Sequence, residues 1–339
     1  MRSPALQLLA KLAALLVAVA LLQVVLVGPM WHHRIWAGKD LRDFKACMAR
    51  QPDVVHLCDS SNFWTGPEDA DHGRISDYLD QQLGPLVAAR LDGGAFHAGM
   101  YEAFLDLMIA TGRRPRALVM PINLRSFSLE WDLKPAYAFE ERMHQIRHAD
   151  SVLASAAIPV LRTFQWMEGD TLDQQAFLEC PVWLGTNQVG KVEDFDNPAS
   201  RQPTPERVRN RLIYYYLYPL EKDHRRLAAF RRISDKAAAA GIRVVFYITP
   251  IDFQTGERHL PGQFLAQVRA NIRVVQETLA DHQPPVLDLS TALPSRDFAT
   301  EDYPNEHLME AGRRFVAEQL AWEVKRVLEP RQESRMRVP

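Results

Sequence analysis

From Asp53 onward, short apolar runs alternate with stretches whose apolar positions recur every three or four residues. The first kind predicts strands and the second amphipathic helices, the pattern of successive βαβ units. Val54–Leu57 is the first strand, followed by a helix over Ile75–Leu83 that Gly84-Pro85 stops. Leu86–Leu91 is a second strand, weakened by its Ala-Ala pair and running into the turn Asp92-Gly93-Gly94. A helix over Met100–Ala110 ends near Gly112, and Ala117–Ile122 is the third strand. Much later comes a helix over Leu227–Ala240, stopped by Gly241, and then Val244–Ile248, the clearest strand in the chain. A helix over Phe264–Leu279, a short strand at Val286–Leu289 and a closing helix over Leu308–Val327 complete the series.

This alternation predicts an α/β fold: a three-layer, doubly wound parallel sheet of about five strands, with flavodoxin-like order as the default. The stretch 128–219 breaks the alternation and is rich in aromatics, among them Trp131, Trp166, Trp183 and Tyr214-Tyr-Tyr-Leu-Tyr218. A long insertion above the carboxyl ends of the strands is where a helical, aromatic cap would sit. Its rings either stack on sugar or form the cap's own core. The main domain is expected over 46–330, with a charged tail over 331–339.

Before the alternation begins, Leu12–Gly28 carries no charge. Extended to Trp31, it reaches the length of about 20 residues that a spanning helix needs. The expectation is an uncleaved N-terminal membrane anchor within 1–45, with a cleavable signal peptide as the rival. Trp31, Trp36, His32 and His33 resemble an interfacial belt. Arg2 and Lys11 precede the span, but Arg34, Lys39, Arg42 and Lys45 follow it, so charge alone does not orient it.

Composition narrows the function classes. A net charge of −2 without a basic stretch argues against nucleic acid as a partner. Cys47, Cys58 and Cys180 fall in no metal-ligand spacing, so neither a metal nor another cofactor is expected. Cys58 reads as buried packing, and Cys47 and Cys180 could pair in an oxidising compartment.

Candidate chemistry sits where strands end. Val54–Leu57 breaks abruptly into Asp59-Ser60-Ser61-Asn62, at the edge where open α/β sheets keep their ligand crevice. Alone this is a polar turn. Three further clusters join it: Ala95-Phe-His-Ala-Gly99-Met-Tyr101, Pro121-Ile122-Asn123-Leu124-Arg125, and Tyr303-Pro-Asn-Glu306-His307-Leu-Met-Glu-Ala-Gly312 at the start of the last helix. Together they hold the parts of acyl transfer. Ser60 is the nucleophile, with Ser61 as a second choice, and His307 is the base that takes its proton. The backbone N–H groups of Ser60 and Gly99 and the Asn123 side-chain amide are candidate oxyanion donors. Arg125, at the crevice rim, pairs with an anionic substrate group or with an acid of the cap. Asp252, at the fourth strand's end, is similarly placed without a catalytic role.

The order Ser, Gly, Asn, His at strand ends resembles the SGNH (GDSL-type) hydrolase family. Cys58-Asp59-Ser60 stands where the family has Gly-Asp-Ser, and Gly99, Asn123 and His307 stand at its other blocks. Pro-Ile-Asn-Leu-Arg-Ser-Phe-Ser and Glu-His-Leu…Gly resemble the membrane-anchored branch, which includes polysaccharide O-acetylation and teichoic acid D-alanine transfer proteins. The resemblance implies a Ser–His acyl-enzyme mechanism, esterase or O-acyltransferase, on an exported or cell-surface glycan. It also implies a single-pass protein of the cytoplasmic membrane whose catalytic domain faces the periplasm, with a membrane-bound acyltransferase as a possible partner. Three positions depart from the family. Cys58 replaces Gly, Leu124 follows Asn123 where many members have Asp, and Pro304 stands where the family's acid precedes the histidine by three. Asp302 can reach across the turn to orient His307, whereas Glu306 points away from it. The alternatives are a Ser–His dyad, a non-catalytic subunit that binds glycan or an acyltransferase, and an Asp59-based phosphoesterase.

Overall fold

The computed structural model describes residues 4–22, 38–149, 172–195, 204–299 and 306–329. Helices α1 (Pro4–Leu22) and α2 (Lys39–Ala49) precede strand β1 (Val54–Cys58). The chain continues through α3 (Ser60–Phe63), α4 (Ile75–Leu83), β2 (Ala88–Asp92), α5 (Ala98–Ala110) and β3 (Ala117–Ile122). The inserted segment follows: a 3₁₀ turn (Leu124–Phe127), α6 (Leu129–Leu133), α7 (Pro135–Ala138), α8 (Glu140–Arg147), α9 (Gln174–Leu178), β4 (Pro181–Leu184), β5 (Asn187–Lys191), α10 (Val192–Phe195) and α11 (Pro205–Tyr216). Helix α12 (Arg225–Ala239), β6 (Arg243–Ile248), α13 (Phe253–His259), α14 (Phe264–Thr278), β7 (Leu287–Asp288) and α15 (Glu310–Leu328) close the chain.

The main sheet has five strands in the order β2-β1-β3-β6-β7, and every pairing in it is parallel. Counting only these strands, the order is 2-1-3-4-5, the flavodoxin-like arrangement, with its switch point between β1 and β3. The period-2 geometry of a strand sorts each run onto two faces. Val54, Ala117, Val119, Val245 and Tyr247 point to one face, where Ile75 and Leu79 of α4 meet Val316, Leu320 and Val324 of α15. Val55, Leu57, Leu118, Met120, Ile122, Val244, Phe246 and Ile248 point to the other, against α5, α12 and α14. Because both faces are covered, the inner strands β1, β3 and β6 are nearly all apolar, whereas the edge strands β2 and β7 carry Arg90, Asp92 and Asp288.

The second face continues without a break into the inserted segment, whose Trp131, Ile146, Phe177, Val182, Leu212, Tyr215 and Tyr216 belong to the same core. The tyrosine run is therefore core: Tyr214, Tyr215, Tyr216 and Tyr218 are all buried. Trp166 lies outside the described residues. The insertion is not wholly helical, as β4 and β5 form an antiparallel hairpin. A two-residue turn closes it, with Gly185 in left-handed backbone (φ +61°), the conformation a tight hairpin demands.

Helix α2 buries Leu41, Phe44, Cys47 and Met48 in this core, and Asp40 accepts two hydrogen bonds from Arg142 of α8. Helix α2 therefore packs as part of the same core as the sheet. Among the described residues, no helix is long and apolar enough to cross a membrane. The expected span is only partly described: Leu12–Leu22 is the end of α1, and 23–37, with Trp31 and Trp36, lie outside, as does the tail from 330. Cys47, Cys58 and Cys180 are free thiols.

Candidate active site

Because the sheet is parallel, the carboxyl ends of β1 and β3 open on the same edge, and two of the four polar clusters start there. Asp59 leaves β1 in extended backbone and caps α3, its Oδ1 accepting from Ser61 N–H at 2.9 Å. That cap places Ser60 at the first helical position, where a backbone N–H has no partner within the helix. Asp59 Oδ2 accepts from the Asn123 side-chain amide, also at 2.9 Å. The same Asn123 caps the 3₁₀ turn after β3, its Oδ1 accepting from Arg125 N–H at 3.0 Å. The Asn123 amide is thereby fixed in orientation: an amide nitrogen carries two hydrogens, and Asp59 engages one.

His307 enters from the loop before α15. Its Nε2 lies 3.1 Å from Ser60 Oγ, within reach for a base taking the serine proton. Its ring stacks on Trp64, just past α3, with centroids 5.2 Å apart and planes 8° from parallel. Burial, and secondarily the Arg125 cation, push the imidazole down to about 4, against the opposing pull of Asp59. The ring is thus neutral across the physiological range, the form in which Nε2 accepts the hydroxyl hydrogen. Ser61 is buried and held at its N–H by Asp59, so Ser60 is the serine that meets His307.

The His307 loop is pinned on both sides. The His307 carbonyl accepts from Ala299 N–H, and Leu308 bridges Phe298. Arg313, fully buried, donates to the Leu308 carbonyl and to Asp69 Oδ2, both at 2.7 Å. Asp69 also accepts from Gly66 and Glu310 N–H groups, tying the segment after α3 to the start of α15.

Glu306 points away from the Ser60 side of its neighbour. It is buried, accepts from Tyr216 Oη at 2.5 Å, and pairs with Arg125 at 3.0 Å. The Arg125 guanidinium lies 4.5 Å from the Trp131 ring centroid and 5.5 Å from that of Tyr215. Arg125 as a whole is 6 % exposed. Arg125 is therefore partnered by Glu306, the residue before His307, and by aromatics of the insertion, in a low-dielectric position where a cation over an aromatic ring is worth about 2 kcal/mol.

Gly99 is placed differently from the other three residues. Its N–H donates to His97 Nδ1 at 3.1 Å, as part of the cap of α5. A Cβ at this position would meet Met143 Sδ at 2.7 Å and Arg226 Nη1 at 3.1 Å. The close packing that requires glycine here is against α8 and α12. His97 is in turn held by Arg226 at 2.9 Å and by the Tyr137 carbonyl at 3.0 Å, so this cluster joins α5 to the insertion. Asp252 caps α13 through Thr255 N–H and accepts from Ser295 Oγ. Asp302, with Tyr303 and Pro304, lies outside the described residues.

The structure thus brings Ser60, Asn123 and His307 together, and adds groups that strand-end logic did not single out in these roles. Asp59 fixes the Asn123 amide, Trp64 stacks on His307, and Arg125, Glu306 and Tyr216 form a cluster beside it. An Asx cap was foreseeable from Asp-Ser-Ser; the Trp64 stack had no sequence signal. Among the described residues there is no group of three or more His, Cys, Asp or Glu able to hold a metal ion. No protein-family model matches the chain, and no curated protein matches it.

Proposed function

We propose that the chain is a serine acyl hydrolase or O-acyltransferase of SGNH type. The observation that carries this reading is the contact between Ser60 Oγ and His307 Nε2, at the carboxyl edge of a parallel sheet, beside an oriented Asn123 amide. His307 removes the Ser60 proton as Oγ adds to the ester carbonyl. The carbonyl oxygen becomes an oxyanion, for which the Ser60 N–H and the second Asn123 N–H are the nearby donors. His307 then gives its proton to the departing alkoxide, leaving an acyl-serine. Water or a sugar hydroxyl, deprotonated by the same histidine, takes the acyl group and restores Ser60.

The finer reading rests on the resemblance of the sequence blocks. It gives an acyl ester of an exported or cell-surface glycan as substrate. It also gives a single N-terminal anchor in the cytoplasmic membrane, a domain facing the periplasm, and a membrane-bound acyltransferase as partner. A fluorophosphonate probe tests the chemistry: the wild-type protein labels, and Ser60→Ala and His307→Ala do not. A folded wild-type domain that resists the probe overturns the enzymatic reading in favour of a non-catalytic subunit. Mass analysis of a glycan acceptor incubated with an acyl donor separates transfer from hydrolysis.

A further inference from the structure

The nucleophile, the oxyanion amide and the base lie on one closed circuit. From Ser60 the backbone leads to Asp59, whose Oδ2 holds the Asn123 amide at 2.9 Å. Asn123 Oδ1 holds the Arg125 N–H at 3.0 Å. The Arg125 guanidinium reaches Glu306 at 3.0 Å, and the backbone leads from Glu306 to His307. His307 Nε2 returns to Ser60 Oγ at 3.1 Å. The link that closes the circuit is the Arg125–Glu306 ion pair, and side chains of the insertion surround it: Trp131 and Tyr215 on the guanidinium, Tyr216 Oη on the carboxylate.

We propose that Arg125 and Glu306 are positioning residues that hold His307 against Ser60, and that the insertion sets the alignment of the base through Tyr216, Trp131 and Tyr215. Glu306 acts through its backbone neighbour, because its carboxylate is turned to Arg125 and Tyr216. Arg125 has two roles at once. Its backbone aims Asn123, and its side chain anchors the residue before the base. Ion pairs of this kind add little net stability over a well-packed apolar pair, but they fix a geometry, since only one arrangement satisfies both charges. A buried pair between two catalytic loops and a cap suits that purpose. It also links the cap to the chemistry: displacement of the tyrosine run by a bound acceptor would be felt at His307.

The inference rests on the serine-enzyme reading above, and the experiment separates the two. The rate of fluorophosphonate labelling is measured against pH for wild type, Glu306→Gln, Arg125→Met, Tyr216→Phe and the double variant Arg125→Met/Glu306→Met, with thermal unfolding as the check on folding. The double variant replaces the pair with apolar chains and so avoids the uncompensated buried charge that each single charge variant leaves behind. Displacements of a catalytic group on the order of 1 Å cost about 100-fold, so the two single charge variants and the double variant are expected to label about 10- to 100-fold more slowly. Tyr216→Phe lies between them and wild type. The pH profile is a readout that a structural role would not move. Among the described residues, the charged groups that act on His307 are Arg125 and Asp59, so Arg125→Met moves the acid limb upward from about 4 while Tyr216→Phe leaves it in place. Absence of labelling in wild type overturns the serine-enzyme reading itself. Wild-type labelling with rates and limb unchanged in the folded charge variants overturns the positioning role alone.

Discussion

Asp59 makes two hydrogen bonds with different purposes, and substitution can separate them. Asp59→Ala removes the cap of α3, worth about 1 kcal/mol. It also leaves the buried Asn123 amide N–H unpaired, at about 1–3 kcal/mol. The expected loss is therefore about 2–4 kcal/mol. Asp59→Asn is more discriminating. An asparagine oxygen can still cap Ser61 N–H, but its NH₂ then faces the Asn123 NH₂. Turning Asn123 over relieves that contact and sets the same NH₂ against Arg125 N–H; turning residue 59 over sets its NH₂ against Ser61 N–H. Every flip state leaves one donor facing a donor, so the helix cap cannot survive together with the aim of Asn123. Asp59→Asn should thus lose about 1–3 kcal/mol in urea unfolding. With an oxyanion donor misaligned, it should also label about 100- to 1,000-fold more slowly with the fluorophosphonate. A variant indistinguishable from wild type in both assays would refute the assignment of Asn123 as a donor aimed by Asp59.

Further outcomes follow from the same geometry. Burial and the Arg125 cation hold His307 at about 4, and burial with the Arg90 cation holds His56 at about 3, against roughly 6.5 unfolded. Between about pH 6.5 and 4 the unfolded chain takes up protons that the folded one declines. This contribution to stability is complete above 6.5 and is lost as pH falls, at about 1.4 kcal/mol per pH unit per group; a urea midpoint unchanged from pH 7 to 5 would contradict it. Trp64→Leu uncovers one face of His307, so its acid limb in labelling should move upward from about 4. Arg313→Ala leaves Asp69 as an unpaired buried charge and should cost about 3–5 kcal/mol, read from denaturant unfolding. Gly99→Ala pushes a methyl into Met143, Arg226 and His97, and should cost about 1–3 kcal/mol in the same measurement.

The inner strands were legible because they are buried on both faces and read as nearly uninterrupted apolar runs with turn residues behind them. Val244–Ile248 is the plainest case, and the β1-Ser60 junction follows from the same rule. The second strand began two residues later than its apolar run suggested: Val87 is exposed, and Asp92, a residue with poor strand propensity, completes the pairing with Cys58. The β4–β5 hairpin was missed, since Pro181-Val-Trp-Leu lacks clear alternation and Asn187–Lys191 is mostly polar; Gly185-Thr186 was its one signal. Glu306 was foreseen to point away from the Ser60 side because adjacent side chains diverge, yet its partners lie 90 and 181 positions away in the chain, beyond any local pattern. Gly99 illustrates a different limit: the order of blocks along a sequence carries no information on which acceptor an amide meets. There the acceptor is His97.

The Trp64–His307 stack places an indole against the base, and this gives the site an optical reporter of its own. Protonated imidazole withdraws electron density and quenches a neighbouring excited indole, whereas neutral imidazole does so weakly. Emission from Trp64 should therefore dim as His307 gains its proton. Against the other six tryptophans of the chain, subtraction of a Trp64→Phe spectrum isolates the signal. The charge state of the base can then be followed by fluorescence, in the absence of any substrate.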